Sequence, residues 1–181
     1  SDGAMVTFDI ENFDKQIEVF TTRVDTIFGV TFMTLAPEHP YVKKITTKEN
    51  LKKVQDYIKL SGKKTERERM SDVKSISGVF TGAYAIHPLS NERLPIWISD
   101  YVLAGYGTGA VMAVPCGDQR DYNFAKFFNI PIKNIFLDKD ISKEAFQNKD
   151  GFVLTNSSFL DGLNFKDGLS LAIKKLKEVK K

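Results

Sequence analysis

The segment "GYGTGAVMAVPCGDQRDYNFAKFF", residues 105–128, joins an apolar strand to a charged helix start. The small and apolar run 107–115 predicts a buried strand, and residues 118–128 predict a short helix. Asp118 has the place and chemistry of an N-cap, and Asp121 falls in the first turn. Because these carboxylates directly follow the least polar strand, we interpret the junction as a ligand site at the end of a strand.

The sequence on either side supplies more strands than helices. Alternating residues predict strands at 4–10 and 16–23, and a Gly-bearing turn with another strand lies within 25–37. "GVFTGAYAIHP" (78–88) and "RLPIWISDYVL" (93–103) predict a hairpin around 89–92, with Trp97 on its second strand. These strands and the irregularly placed helices predict an α+β domain whose core is a barrel-like mixed β-sheet with peripheral helices.

Four further segments carry less regular patterns. Residues 41–70 are polar and helix-like, with a break at Ser61 and Gly62. The apolar run 130–136 predicts a strand, and 151–165 predicts a short strand mixed with turns. Residues 167–181 predict an amphipathic helix with Asp167 as N-cap, and Leu169, Ala172, Ile173 and Leu176 share its apolar face.

Composition narrows the class of protein. The 181 residues suit one domain with a sizeable core. A net charge of +3 is too small to indicate a nucleic-acid binder by itself. The single Cys116 excludes a disulfide scaffold and fits a reducing compartment, and the sequence predicts no metal site. No apolar run approaches the roughly 20 residues of a membrane helix.

Two polar clusters are candidate sites, and each also has a structural explanation. Asp118 and Asp121 fit helix capping, yet a helix N-terminus stabilises the ionised carboxylate, which we expect to stay charged at neutral pH and to hold an ammonium group. Arg120 either orients that carboxylate or faces solvent. The second cluster places three threonines and an aspartate in a turn after a strand: Thr21, Thr22, Asp25 and Thr26. Turn chemistry accounts for it, and so does a lining of donors for ester hydrolysis.

Other reactive groups have simpler interpretations. Cys116 as a nucleophile would require a nearby base, and neither histidine is close to it in sequence, so we predict a buried, inert thiol. His87 precedes Pro88 at a strand end and is predicted to be structural. The Gly-rich residues 105–109 are a weak phosphate signal and fit close backbone packing.

Four blocks, in this order, resemble the editing domain (connective peptide 1) of leucyl-tRNA synthetase: "FTTRVDTIFG", "GVFTGAYAIHP", "LPIWISDYVL" and "YGTGAVMAVPCGDQRDYNFA". The resemblance runs from residue 1 to about 165 and is weakest in 41–75. It implies the class I synthetase editing-domain fold, with 1–181 as a single editing domain from a larger synthetase. It also implies a cytoplasmic or organellar protein.

The resemblance implies a deacylase: hydrolysis of the ester of tRNA-Leu misacylated with norvaline, isoleucine or methionine, with leucine excluded. Such a site is needed because a synthetic pocket separates side chains that differ by one methylene by only about 1–3 kcal/mol. Editing would use no cofactor, since ATP and Mg belong to the synthetic domain. The implied partners are the tRNA-Leu 3′ end and the rest of the synthetase, without a membrane, in a monomer.

The resemblance also assigns residues. Thr26 would exclude leucine, and Asp121 would hold the α-ammonium group. Thr21, Thr22 and Arg23 would meet the terminal adenosine and the hydrolytic water, so Thr21, Thr22 and Asp121 are the predicted catalytic set. The remaining predicted substrate-binding residues are Asp25, Tyr106, Met112, Val114 and Asp118. Gly117 stands where many relatives have His, so no imidazole is assigned a role.

Two other functions stay open on the sequence alone. The domain could hold the tRNA 3′ end without catalysing hydrolysis, and the substituted residues Cys116 and Gly117 are the only hint of this. A freestanding deacylase is the more distant alternative. The truncated appearance of both ends of the sequence argues against it. An assay of deacylation of norvalyl-tRNA-Leu separates the first alternative from an active editing domain.

Overall fold

A computed structural model describes residues 3–71 and 75–181, and within them six strands form one mixed sheet. Residues 1–2, where the resemblance begins, and residues 72–74 of the weakly matching 41–75 lie outside the described residues. The strands are β1 (Ala4–Ile10), β2 (Gln16–Thr21), β3 (Phe32–Leu35), β4 (Val79–Ile86), β5 (Arg93–Ile98) and β6 (Ala110–Ala113).

The sheet has the order β2-β1-β4-β5-β3-β6. Neighbouring strands in the sheet are antiparallel except for β3 and β5, which run parallel with Met33 opposite Ile96. The two edge strands, β2 and β6, approach each other, so the sheet curls into a nearly closed barrel. The predicted α+β class with a barrel-like mixed sheet is therefore confirmed.

Alternating sequence explains why the strands have one buried face. In β1, Val6, Phe8 and Ile10 point inward, and in β2, Ile17 and Val19 do the same. The predicted hairpin around 89–92 joins β4 to β5, with Trp97 on β5 as expected.

Helices surround the sheet: α1 (Val42–Ile45), α2 (Leu51–Ser61), α3 (Glu66–Ser71), α4 (Gln119–Phe128) and α5 (Phe165–Glu178). Short 3₁₀ helices cover Val24–Gly29, Lys48–Asn50 and Ser158–Leu160. The predicted break is confirmed, because α2 ends at Ser61 and Gly62 is its C-cap. Among the described residues, every helix is too short or too polar to cross a lipid bilayer.

Three local predictions were wrong. Residues 130–136 form no strand, and the predicted strand within 151–165 is reduced to one isolated bridge between Phe136 and Leu154. The Asn134 side chain accepts from the Phe136 amide and donates to the Lys139 carbonyl, which favours a turn over a ladder. In α5 the N-cap is Asn164, whose side chain accepts from the Asp167 amide, so Asp167 lies in the first turn instead.

Two hydrophobic clusters hold these elements together. The main one fills the barrel and extends under α5, where Ala172 and Leu176 are buried. A smaller cluster lies beneath α4, where the Phe124 ring stacks on Phe32 at 5.3 Å and meets Trp97 edge-on at 5.6 Å. This second cluster fixes α4, and with it the charged helix start at 118–121.

Candidate functional site

A small cavity lies near the seam where the two edges of the curled sheet meet. Its volume is about 150 Å³. Its lining comes from the end of β2, the Val24–Gly29 helix, β6 and the start of α4: Thr21, Arg23, Thr26, Met112, Val114, Gly117, Asp118 and Asp121. Closure of the sheet thus brings residues 21–26 and 112–121 to one place, although about 90 positions separate them in the sequence.

A second, more open cavity of about 400 Å³ adjoins the first and shares Thr21, Met112, Asp118 and Asp121 with it. Its other walls are Phe20, Tyr101, Val111 and Arg120. Phe20 is 58% exposed, so an aromatic ring stands at the mouth of the site. The two cavities together offer a narrow inner compartment and a wider outer one.

The Val24–Gly29 helix holds Thr26 firmly. The Thr26 hydroxyl donates to the Arg23 carbonyl at 2.8 Å, and the Thr26 side chain is almost fully buried. His87 anchors the same helix, because its Nε2 donates to the Ile27 carbonyl at 2.8 Å while its Nδ1 accepts from two amides of the β4–β5 turn. Burial lowers the pKa of His87, which keeps it neutral as this pairing requires, and its predicted structural role is confirmed.

Arg23 and Asp25 form a partly buried ion pair beside the cavity. The guanidinium donates twice to the carboxylate, from Nε and Nη2, each at 3.0 Å. Asp25 is fully buried and does not line either cavity, whereas Arg23 does line the small one. Thr21 accepts from the Arg23 amide at 3.0 Å, so its hydroxyl oxygen is fixed while its proton can still donate.

Asp118 and Asp121 make different contacts in the structure. Asp118 is the N-cap of α4 and accepts from the Asp121 amide at 2.9 Å, which confirms the capping prediction. Asp121 is buried, and its Oδ2 accepts from the Val114 amide at 2.9 Å while its Oδ1 accepts from the Tyr101 hydroxyl at 3.3 Å. The Asp121 carboxyl, on α4, is therefore held by the residue that follows β6 and by the loop after β5.

The expectation that Asp121 is ionised at neutral pH was wrong for the ligand-free protein. Burial raises its pKa to about 8, and the neighbouring charge of Asp118 adds to this. The Val114 amide, Tyr101 and Arg120 act in the opposite direction but do not compensate. A helix N-terminus stabilises a carboxylate by at most about 2 kcal/mol, which is less than the cost of burying the charge.

Several predicted residues do not reach the cavities. Tyr106 is 67% exposed on the loop before β6 and lines neither of them. Thr22 lies in the bend after β2 and also lines neither. Conversely, sequence reasoning did not select Phe20, Tyr101 or Val111. Phe20 had a usable signal, since it directly precedes the threonine pair, but nothing in the sequence pointed Tyr101 toward Asp121.

The Cys116 thiol does not add a nucleophile to this site. Cys116 is fully buried, and burial raises its pKa to about 11, so the thiolate is scarce at neutral pH. The predicted inert thiol is thus confirmed. Among residues 3–71 and 75–181, no group of three or more His, Cys, Asp or Glu side chains is arranged to hold a metal ion.

Comparisons with known proteins agree with this geometry. The family model described as leucyl-tRNA synthetase, editing domain, matches residues 1–177. The leucine–tRNA ligase of Flavobacterium johnsoniae is 62% identical over 98% of this chain, and that of Cytophaga hutchinsonii is 49% identical over 98%. This chain spans 19% of the length of each of these two relatives.

A solved structure gives the same result. A crystal structure of the ternary complex of Agrobacterium radiobacter K84 agnB2 LeuRS, tRNA and LeuAMS superposes with a TM-score of 0.76 at 32% identity. The match covers 98% of this chain and 19% of that one. Since the family model spans nearly the whole sequence and the fold is shared, the chain belongs to the leucyl-tRNA synthetase editing-domain family.

Proposed function

We propose that this chain hydrolyses the ester bond of tRNA-Leu that carries a wrong amino acid, such as norvaline, isoleucine or methionine, and spares leucine. One observation carries the proposal. The buried Asp121 carboxyl and the fixed Thr26 side chain line the same small cavity, beside a wider one. An acidic group and an apolar wall are the two features that an α-amino acid requires of a binding site.

The sizes of the two cavities support binding of the aminoacyl group in the smaller cavity and of the terminal adenosine in the larger one. The inner 150 Å³ is below the roughly 300–1,000 Å³ of typical small-molecule pockets, so it suits an aminoacyl group alone. The outer cavity of about 400 Å³ would take the terminal adenosine. In this arrangement the ester lies at the junction, next to Thr21, which lines both compartments.

Asp121 can anchor the ammonium group although it is neutral in the free protein. Its pKa of about 8 is close to the value of about 7.7–8.0 for an α-amino group. The acid and the amine therefore share one proton readily, and their contact forms an ammonium–carboxylate pair. An opposite charge within about 4–6 Å then favours the ionised carboxylate.

Hydrolysis of this ester does not demand a strong nucleophile. A positioned water attacks the carbonyl carbon, and hydrogen-bond donors stabilise the developing oxyanion. Thr21 is the best-placed side chain, because its oxygen is fixed by the Arg23 amide and its proton is able to donate. Backbone amides complete the proposed set, whereas Thr22 lines neither cavity and is not part of it. The proposed step uses no cofactor.

Leucine is excluded by shape. The Thr26 side chain, held by the Arg23 carbonyl, stands in the wall of the inner cavity together with Met112 and Val114. A branch at the γ-carbon would collide with this wall, whereas a linear side chain would pass beside it. The site would thus discriminate by a steric clash with leucine, the amino acid that must stay attached to the tRNA.

The test is a deacylation assay with norvalyl-tRNA-Leu and leucyl-tRNA-Leu. We expect the chain to release norvaline and to leave leucine attached, and Asp121→Ala to abolish the release. Asp56→Ala is the matched control, since that carboxylate is exposed and pairs with Lys52 on α2. Binding of the tRNA end without release of norvaline would instead identify a catalytically idle module.

The partners follow from the same reasoning. We propose that the chain acts as one editing domain of a larger synthetase and that it meets the aminoacylated 3′ end of tRNA-Leu. Its mild net charge of +3 supports a division of labour in which most contacts to the tRNA lie elsewhere in that synthetase.

A further inference from the structure

Tyr101 joins Asp121 to the sheet. Its hydroxyl lies 3.3 Å from Asp121 Oδ1 and 3.5 Å from the Thr34 hydroxyl oxygen on β3. Thr34 is fully buried, and the Tyr101 ring packs edge-on against Phe124. The three polar groups thus form a short chain behind the carboxyl of the small cavity.

The Tyr101 hydroxyl carries one proton, and among residues 3–71 and 75–181 it has two acceptors within 3.5 Å, Asp121 Oδ1 and Thr34 Oγ1. It donates to either Asp121 or Thr34 at a given moment, and it accepts a hydrogen bond through its lone pairs. An ionised Asp121 is the stronger acceptor, because hydrogen bonds to charged groups are roughly twice as strong as neutral ones. A neutral Asp121 competes less, which leaves Thr34 as the better acceptor.

Tyr101 itself stays protonated throughout. Burial, and then the charge of Asp121, raise its pKa well above the ordinary value for tyrosine. The charged groups that face Asp121 come from its own helix, with Asp118 and Arg120, and from the Val24–Gly29 side of the cavity, with Arg23. Arg120 also lies over the Tyr101 ring, 5.4 Å from its centroid.

We propose that Tyr101 is a positioning residue for Asp121. The Tyr101 hydroxyl donates to Thr34 in the ligand-free protein and rotates to donate to the Asp121 carboxylate when an α-ammonium group binds. Because this hydroxyl keeps an acceptor with and without ligand, the penalty for an unsatisfied polar group is avoided. This inference rests on the proposed editing function for the identity of the amine. The coupling between Tyr101, Thr34 and Asp121 is, however, measurable without any substrate.

The first experiment follows the Asp121 carboxyl carbon by NMR during a pH titration of the 181-residue chain. In Tyr101→Phe the carboxylate loses a donor, so we expect the midpoint to rise by about one pH unit. In Thr34→Val the tyrosine proton has Asp121 as its remaining acceptor, so the midpoint should fall. Asp121→Asn assigns the signal.

Tyr122→Phe is the matched control. Tyr122 neighbours Asp121 on α4, but its hydroxyl donates to the Ile141 carbonyl at 2.9 Å. Its removal should leave the Asp121 midpoint unchanged. A purely structural defect would shift the Asp121 midpoint in the same direction in Tyr101→Phe, Thr34→Val and Tyr122→Phe. The proposal instead requires opposite shifts for Tyr101→Phe and Thr34→Val. Equal shifts, or none, would overturn it.

The second experiment measures binding of an adenosine whose 3′ position carries norvaline through a stable amide. If the Asp121 pKa rises from about 8 to about 9, its ionised fraction at pH 7 falls about tenfold and at pH 9 about twofold. We therefore expect Tyr101→Phe to weaken binding about tenfold at pH 7 and about twofold at pH 9. Equal weakening at both pH values would contradict the proposal.

The two experiments distinguish failure of the proposed function from failure of the positioning role of Tyr101. If the unaltered chain binds no norvalyl amide and releases no norvaline from tRNA, the proposed function is wrong. The NMR titration then still decides whether Tyr101 and Thr34 control the proton on Asp121. If the unaltered chain binds and edits but the titration shows no opposite shifts, the positioning role alone is wrong.

Discussion

The hydroxyl of Thr26 is tied to the Arg23 carbonyl at 2.8 Å, so this side chain cannot turn away from the cavity wall. Thr26→Ala removes the wall at one point, and we expect the variant to hydrolyse leucyl-tRNA-Leu at least about tenfold faster, as contacts of this size are worth about 1–3 kcal/mol. Thr26→Val is the control, because it keeps the bulk and should still reject leucine. Unchanged discrimination in Thr26→Ala would remove the steric argument.

Asp121 links the site to the pH dependence of stability. Its pKa is raised to about 8 in the folded chain from an unfolded value of 3.8, so the folded state holds a proton that the unfolded state releases. The stability that Asp121 contributes is present below about pH 4 and is lost as the pH rises toward 8.

We therefore expect Asp121→Asn to stabilise the chain relative to the unaltered protein, more at pH 8.5 than at pH 5. The difference in unfolding free energy between these pH values should be on the order of a few kcal/mol. Urea denaturation at the two pH values measures it. Asp56→Asn, at an exposed position, should show no such dependence, and an equal effect of Asp121→Asn at both values would show that burial does not raise this pKa.

Part of this site could be predicted from residue types and spacing alone. Asp118 as N-cap follows from its position before a helical pattern, and the structure confirms it. The protonation of Asp121 could not be predicted, because it depends on burial by β6 and on Tyr101, which lies 20 residues away in the sequence. A helix signal is local, whereas desolvation is a property of the whole packed site.

At the scale of elements, α5 fixes the Val24–Gly29 helix by close contact at Gly168. A Cβ added there would lie 2.9 Å from Leu154 Cδ1 and 3.5 Å from the Cβ of Asp25. The two γ-methyl groups of Gly168→Val would extend beyond this Cβ into the packed space beside Leu154 and Asp25, so we expect a fall in the free energy of unfolding of about 1–3 kcal/mol.

The matched control for Gly168→Val is Ser170→Val, which places the same β-branched side chain on the exposed face of α5. Urea denaturation compares the two variants. Because Asp25 holds Arg23, we also expect Gly168→Val to slow the deacylation of norvalyl-tRNA-Leu. Equal stabilities of the two variants would mean that α5 accommodates the added volume.

Strands with strict alternation were predictable, and irregular segments were not. β1 and β2 bury every second residue, which the sequence shows directly. The run 130–136 is equally apolar, but Pro131 lacks an amide donor and Asn134 uses its side chain to form a turn. Ile135 and Phe136 are buried all the same, so apolar content predicted burial there and not strand pairing.

At the scale of the whole molecule, the site exists because the sheet closes. Thr21 ends the edge strand β2, and Met112 lies on the opposite edge strand β6, yet they line the same cavity. Each strand could be predicted locally, but the approach of the two edges depends on the accumulated twist of six strands. The resemblance supplied what local patterns could not, namely that these two blocks belong to one site.

A ligand that bridges the seam should therefore protect both edges of the sheet at once. With the norvalyl amide of adenosine at about 100 times its Kd, we expect a stabilisation of about 2.7 kcal/mol and a rise in Tm of about 5–10 °C. Amide hydrogen exchange should slow in β2, in β6 and at Val114, whose amide donates to Asp121. The turn between β4 and β5 should change less, because it borders neither cavity. Asp121→Ala serves as the control and should show neither effect, while protection confined to one edge would mean that the ligand does not span the seam.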